Sequence, residues 1–427
     1  MSRRVLVIGG GGREHALAWG FAGCDSVDAV YALPGNPGIE AVAECVPGDP
    51  DDPSAVAAVA DELDVDLVVV GPEQPLVAGV ADAVAARGRA VFGPSAQSAR
   101  LEGSKAWMKE LLAGAGVPSA LHAAFGADEE DAALAFLGTL DGLYVVKTDG
   151  LAGGKGVVVT ESLAEARDAV RSYLSGAAFG DAGRTLVIEE GLRGPELSLL
   201  VVCNGDPDAA VPLAPAQDFK RVGDHDRGPN TGGMGAFSPV PVVGPELVEQ
   251  VMTIAVRPTL HALAARDAPY RGVLYAGLML TTDGPKVLEY NVRFGDPECQ
   301  VVIPRLASDL AELCSCAATG APLPPVRFRD DACVTVVLAS AGYPTAPRTG
   351  DVIVGVEAAD ALADVTVFHA GTRRNGNGEL VTAGGRVLDV VALGPTIGAA
   401  RQKAYDAAAT ITWPGVQYRR DIAANLP

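Results

Sequence analysis

Residues 4–8, Arg-Val-Leu-Val-Ile, form a short apolar strand that runs into four consecutive glycines, Gly9 to Gly12, and then into Arg13-Glu14-His15-Ala16, where a helix begins. A buried strand that turns through glycine into a helix commits the chain to a layered α/β arrangement, and the backbone N–H groups at such a turn favour an anion. The unit recurs. Strands at 29–33, 67–70 and 90–92 alternate with Ala-rich helical segments, which predicts βαβ units and a Rossmann-like parallel sheet. A dinucleotide fingerprint would need a third glycine where Glu14 or His15 stands, so that motif is incomplete. The strand ends carry Pro34-Gly-Asn36-Pro-Gly38, Gly71-Pro72-Glu73 and Gly93-Pro-Ser95. Ligands in open α/β sheets bind at that edge, so Asn36 and Glu73 are candidate contacts for a small phosphorylated substrate. Any one of these stretches reads equally well as an ordinary turn, but three in register favour a site.

Around residue 103 the character changes. Leu101-Glu-Gly-Ser104-Lys105 predicts a turn and a helix capped at Ser104, broken by Gly114-Ala-Gly-Val-Pro118. Residues 141–147 read as a strand ending on Lys147, followed by a glycine loop through Gly150, Gly153, Gly154 and Lys155 and a second strand at 157–160. Such an arrangement folds as a lid whose N–H groups cover phosphates. It is not a Walker A loop, because Gly150 is one residue too close to the Gly-Lys pair and Gly156 stands where Ser or Thr is required. Residues 186–196 run from a strand into a connector. Its exposed backbone around Glu189, Glu190 and Leu192 suits an adenine edge, and Glu196 suits ribose hydroxyls, although both leading acids read equally well as solvated. The segment from Gln217 and Asp218 through Lys220 to Gly235 is long, polar and glycine-rich, which predicts a mobile loop closing on substrate or else a plain surface loop.

Residues 287–297, Val-Leu-Glu-Tyr-Asn-Val-Arg-Phe-Gly-Asp-Pro, alternate apolar and polar side chains as a strand does, which puts Glu289, Asn291 and Arg293 on one face. A carboxylate and an amide oxygen two residues apart suit a hard cation that takes its other oxygens from water and phosphates. Arg293 offers a planar donor fork for a carboxylate or phosphate beside it. An edge strand with an ion pair fits that stretch as well.

Lysine usage adds to this. All but seven of the 33 basic residues are arginine, so a lysine that persists marks a place where a flexible point charge matters; Lys105, Lys147, Lys155 and Lys220 each lie in a motif-like stretch. The 427 residues, 48% hydrophobic, suffice for several cored domains, and no apolar run reaches the roughly 18 residues of a membrane span. With no signal-peptide pattern at the start, the expectation is a cytoplasmic protein. Seven cysteines without a CxxC pair read as reduced core residues. A net charge of −20 opposes nucleic-acid binding.

Taken in order, Arg13-Glu14-His15-Ala, Gly71-Pro-Glu73, Leu101-Glu-Gly-Ser-Lys105, Lys147-x-Asp-Gly-Leu-Ala-x-Gly-Lys155-Gly, Gln217-Asp218, Gly228-Pro-Asn-Thr-Gly-Gly-Met-Gly and Asn291-x-Arg293-Phe-Gly-Asp296-Pro-Glu make the chain similar to the phosphoribosylamine-glycine ligases, ATP-grasp enzymes of de novo purine synthesis. The likeness covers nearly the whole chain. Departures are small: Thr148 stands for the usual alanine, Gly10 for asparagine and Phe219 for histidine, while Pro195 replaces a glutamate and leaves Glu196 alone for the ribose. The resemblance implies a multidomain α/β and α+β protein with the ATP-grasp fold. It would have a Rossmann-like domain at 1–103, an ATP-grasp domain at 104–327 with a lid at about 125–192, and a small α+β domain at 328–427.

The resemblance further implies small-molecule substrates only (ATP, glycine and 5-phosphoribosylamine), Mg²⁺ or Mn²⁺ on Glu289 and Asn291, and a monomer. ATP phosphates would meet Lys105, Lys147, Gly153, Gly154 and Lys155; adenine would meet Glu189, Glu190 and Leu192; ribose would meet Glu196. Arg293 would hold the glycine carboxylate or the transferring phosphoryl, with Asp218, Lys220 and Asp296 nearby. Gly11, Gly12, Arg13, Asn36, Pro72 and Glu73 would take the phosphoribosylamine. The last hundred residues show no catalytic constellation, and His369 reads as structural. A dinucleotide oxidoreductase, a non-catalytic nucleotide sensor and an ATP-grasp ligase of another acid or amine remain as alternatives.

Overall fold

The computed structural model describes residues 2–151, 156–176, 185–424 and 426. Among them, the N-terminal strands make a five-stranded parallel sheet in the order Glu44–Cys45, Val27–Pro34, Arg3–Gly9, Leu67–Val70, Ala90–Phe92. Helices on both faces bury it, which is why Leu67–Val70 is apolar at every position. The two-residue edge strand Glu44–Cys45 is too short to carry a readable period. Strand order reverses at Arg3–Gly9, so the loops after it and after its two neighbours open a crevice at one sheet edge. Gly9 turns the chain there at φ +118°, a conformation that other residues rarely adopt.

The second sheet is antiparallel, ordered Val211–Pro212, Glu196–Asn204, Arg271–Thr281, Gly284–Asn291. Its register slips between Gly277 and Leu278, where Glu289 and Val287 are the successive partners and Leu288 is the extra residue. This bulge decides the site. Val287 shares the parity of Glu289 and is fully buried, so an unbroken strand would have sent Glu289 into the core as well.

The third sheet, His122–Gly126, Thr185–Glu190, Tyr144–Thr148, Val157–Thr160, is covered by helices Glu130–Leu137 and Leu163–Leu174. It packs a core of its own, including Leu137, Val146, Val170 and Ile188. Elsewhere, one connected apolar cluster reaches from Leu6 through Leu199 and Tyr290 to Ile422, tying the remaining sheets together.

The last sheet, Gln217–Asp218, Gly235–Ser238, Ala332–Ala339, Arg386–Gly394, Val365–His369, joins strands from both sides of residue 328. The segment read as a mobile loop is held in place here. Arg221–Gly223 pairs with Arg227–Asn230, and the buried Arg419 donates to Arg221 O at 3.1 Å and meets Asp226 Oδ1 at 2.7 Å. The sequence shows no link between residues 221 and 419, so nothing in it announces the anchor.

The N-terminal and C-terminal sheets meet at two histidines. His369 N–H donates to His15 Nδ1 at 2.8 Å, and Asn36 Nδ2 donates to His369 O at 2.8 Å. Burial lowers His15 to about 3 and His369 to about 4, so both rings are neutral structural groups. No described helix is long and apolar enough to cross a membrane.

Candidate functional site

A cavity of about 370 Å³ opens where the crevice of the parallel sheet faces the second sheet. Ten of the expected residues line it: Arg13, Pro72 and Glu73 from the crevice, Lys105 from the helix Lys105–Gly114, Asp218 and Lys220 from the pinned segment, and Glu289, Asn291, Arg293 and Asp296 from the bulged strand and the turn after it. Asn36 is not among them. Its amide group donates to Gly10 O and His369 O and accepts from the N–H groups of Gly38 and Ile39, so it fixes the loop behind the wall. Gly11 N–H is already given to Glu14 Oε2 at 2.7 Å. Gly12 lies so close to the C-terminal sheet that a Cβ would stand 1.8 Å from Asp389 Oδ2.

Arg293 is the most heavily bonded group of the floor. Nε donates to Glu73 Oε2 at 3.1 Å, Nη1 to Phe294 O at 3.2 Å, and Nη2 to Glu102 Oε1 at 2.9 Å and Asn291 Oδ1 at 3.1 Å. Only one N–H, on Nη1, is left to point at a ligand. A two-pronged grip on a carboxylate therefore requires Arg293 to release one of these partners. Glu102 uses both oxygens on this segment, accepting also from Val292 N–H at 2.7 Å. Burial raises its carboxyl to about 7 in spite of Arg293. At Glu73 burial pulls the same way, but Arg293 and Arg13 outweigh it and hold that carboxyl at about 2.

Asp296 is held at both oxygens. Arg386 Nη2 lies 2.9 Å from Oδ2, and Gln300 Nε2 donates to Oδ1 at 2.7 Å while also donating to Asp389 Oδ2 at 2.9 Å. Arg386 and Asp389 belong to the strand Arg386–Gly394, and Arg386 lines the cavity. The last hundred residues, in which the sequence shows no catalytic constellation, thus send one arginine to the cavity wall. A lone arginine in a Val-rich strand of an Arg-rich chain gives no sequence signal.

Glu289 differs from its neighbours. Burial opposes its charge, yet Lys220, Lys147, Lys105 and Arg293 together lower its pKa, and no described residue makes a hydrogen bond or ion pair with its carboxylate. An ionised, unpaired carboxylate beside the amide oxygen of Asn291 fits a hard divalent cation. Among the described residues no group of three or more His, Cys, Asp or Glu could hold a metal. Asp218, buried with Oδ1 3.6 Å from Lys220 Nζ, is raised to about 8 by burial, against the pull of that ammonium. Lys220 also donates to Glu196 Oε2 at 2.6 Å.

The lid side is built from lysines. Lys147 Nζ is 2.9 Å from Glu189 Oε1 and donates at 3.5 Å to the carbonyl of Leu288, the bulge residue. Lys105 Nζ donates to Gly150 O at 3.0 Å, and Asp149 accepts from Ala106 N–H and Ser104 Oγ, closing the loop onto the helix that Ser104 caps as expected. Glu189 is buried, with its carboxylate turned to lysines, while Glu190 stays half-buried, accepts from Leu121 N–H and lies 3.7 Å from Lys286 Nζ. Leu192 is half-buried in the connector. Gly153, Gly154 and Lys155 lie outside the described residues. Sequence reasoning passed over Glu102 and Lys109, although Glu102 sits inside the Leu101-Lys105 motif and Lys109 is one of the seven lysines.

A small lid sheet over a larger antiparallel sheet, with lysines above and carboxylate and amide oxygens below, defines an ATP-grasp protein, a class that uses ATP with a divalent cation. Three family models match in succession: the phosphoribosylglycinamide synthetase N domain over residues 3–102, its ATP-grasp (A) domain over 103–299 and its C domain over 333–425. The phosphoribosylamine–glycine ligase of Streptomyces coelicolor is 51% identical over 427 residues, 99% of each chain, and that of Mesorhizobium japonicum is 50% identical over 419 residues, 98% of this chain and 97% of the other. The crystal structure of phosphoribosylamine–glycine ligase from Thermotoga maritima superposes with a TM-score of 0.84 at 34% identity, covering 98% of this chain and 100% of that one. The chain belongs to the phosphoribosylglycinamide synthetase family.

Proposed function

We propose that the protein ligates glycine to 5-phosphoribosylamine at the expense of ATP, in purine biosynthesis. The γ-phosphoryl group moves from ATP to a glycine carboxylate oxygen, the β–γ bridging oxygen leaving with ADP, and the amine of phosphoribosylamine then attacks the acyl carbon. Phosphate leaves with the electron pair of its C–O bond, and the amine loses a proton. The products are glycinamide ribonucleotide, ADP and phosphate. One observation carries this reading: a single cavity has Lys105 beside Leu151, Gly156 and Val157 on its lid side, the unpaired Glu289 carboxylate on its floor and the parallel-sheet crevice with Arg13 and Glu73 as its third wall. A triphosphate, a carboxylate and a phosphorylated amine can meet there, and the reaction needs positioning and charge neutralisation rather than a protein nucleophile.

In this reading Lys105, Lys147 and Lys155 with Gly153 and Gly154 meet the phosphates, the connector at Glu189, Glu190 and Leu192 meets adenine, and Glu196 meets ribose. Glu289 and Asn291 would hold Mg²⁺ or Mn²⁺, which would supply positive charge to neutralise phosphate oxygens. Arg293 reaches glycine or the moving phosphoryl with its remaining N–H. Asp218, Lys220 and Asp296 surround the glycine amine, and Gly11, Gly12, Arg13, Pro72 and Glu73 take the phosphoribosylamine, with Asn36 supporting that wall. The acidic chain, at −20, works on small molecules and not nucleic acid, as a cytoplasmic monomer.

The test is ADP release with freshly made phosphoribosylamine. Release should require glycine and the amine together; equal release with glycine omitted, or with another amino acid in its place, would overturn the assignment.

A further inference from the structure

Lys109 lies outside the cavity, and the proposed reaction gives it no task. Yet it is a lysine in a chain that prefers arginine, and it is only 1% exposed. Its Nζ donates to Glu189 Oε2 at 3.0 Å, and among the described residues that carboxylate is its one hydrogen-bond partner. The other oxygen, Oε1, is 2.9 Å from Lys147 Nζ.

Two ammoniums thus share one carboxylate, and they come from different bodies. Lys109 stands on the helix Lys105–Gly114, fixed in the main core through Met108, Leu111 and Leu112, whereas Glu189 and Lys147 lie on paired strands of the lid sheet. A buried charge is tolerated only with its counter-charge. If Lys109 were neutral, Glu189 would have Lys147 as its remaining close cation, and in a low-dielectric site that attraction would be strong. A triphosphate would then have to break the pair before it could recruit the Lys147 ammonium.

We propose that Lys109 is a positioning residue for ATP: by sharing the Glu189 carboxylate it weakens that carboxylate's hold on Lys147, and so leaves Lys147 available to phosphate. The proposal rests on the reading of Lys147 as a phosphate contact. It predicts a selective effect. Lys109→Gln should weaken phosphate recognition and spare the nucleoside end.

The experiment is calorimetric titration of the full chain with ATP and, separately, with AMP, read as the ratio of the two Kd values. Lys109→Gln should lower the preference for ATP over AMP by about tenfold, the worth of one charged contact. Lys109→Gln/Glu189→Gln, which frees Lys147 and leaves no carboxylate competing with phosphate for it, should return that preference to within about threefold of the starting protein. The double variant is expected to fold even where the single one does not, and a tenfold loss of preference in it would sink the proposal by itself. An unchanged ratio in Lys109→Gln, or an equal weakening of ATP and AMP, would also overturn it. Lys147→Ala separates the two ideas: if it leaves the ratio unchanged, the reading of Lys147 fails, and if it lowers the ratio while Lys109→Gln does not, only the role of Lys109 fails.

Discussion

The floor of the cavity is held by arginines and the lid by lysines, and the two residue types hold differently. Arg293 binds Glu73, Glu102, Asn291 and Phe294 O, and Arg386 binds Gly232 O together with the backbone and side chain of Asp296. Each planar fork fixes the angle between segments far apart in sequence. Lys105 and Lys147 bring single ammoniums on flexible stems to carbonyls or to one shared carboxylate, contacts that a phosphate oxygen can replace. Packing follows the same division, since the floor belongs to the continuous main core and the lid packs its own. The contrast teaches that this site is preorganised around the carboxylates of its floor, where the proposed reading puts the cation, and left adjustable on the lysine side, where that reading brings in the triphosphate.

The contrast breaks most visibly at Glu289. Glu289→Ala should lower turnover by about 10³-fold, because a carboxylate ligand that places a divalent cation is worth several kcal/mol. Thermal stability should hold, since this carboxylate has no bonded partner among the described residues. Near-normal ADP release would remove the floor's claim to the cation. Arg293→Lys comes next. It keeps the charge but loses the fork, leaving buried carboxylates with fewer donors, and should cost about 10²-fold in turnover together with a few degrees of Tm, from a loss of about 3 kcal/mol. Full stability with reduced turnover would mean that Arg293 acts on ligand alone and does not lock the floor.

On the lid side the same exchange reversed, Lys147→Arg, should raise the KM for ATP by only about tenfold and leave Tm and the KM for glycine nearly unchanged. A loss as large as that of Arg293→Lys would erase the distinction between fixed floor and adjustable lid.

Legibility in the sequence follows a physical line. The parallel strands at 67–70 and 90–92 and the strand at 365–369 were readable because their pattern is local, and so was the cap at Ser104. The shared face of Glu289, Asn291 and Arg293 was readable from alternation, but the bulge at Leu288 that makes it compatible with a buried Val287 was not. Arg386 and Asp389 reach Asp296 and Gln300 from about 90 residues away, and Arg419 reaches residues 221 and 226 from about 200 away. No local period encodes such contacts. Glu102 lay inside a motif and was still missed, since its role depends on where Val292 N–H and Arg293 come to rest.

Glu102 also gives the smallest and sharpest test of a preorganised floor. Its carboxyl is raised from the ordinary 4.5 to about 7 by burial, so between these values the folded protein binds a proton that the unfolded chain has released. Its contribution to stability is therefore fully present below about pH 4.5 and is lost as pH rises through 7. Glu73 has the opposite sign: its lowered value makes a contribution that is present above 4.5 and fades as pH falls toward 2. Glu102→Gln removes only the first slope and keeps an acceptor for Val292 N–H or Arg293. The difference in unfolding free energy between variant and parent should change by about 1 kcal/mol per pH unit across pH 4.5–7 and level off above it. Denaturant titrations at several pH values measure this directly. A difference that stays flat with pH would mean that Glu102 is ionised throughout and held by Arg293 as firmly as Glu73 is, which would make the floor a fully charged cluster and not a balance of one neutral and one ionised acid around a single guanidinium.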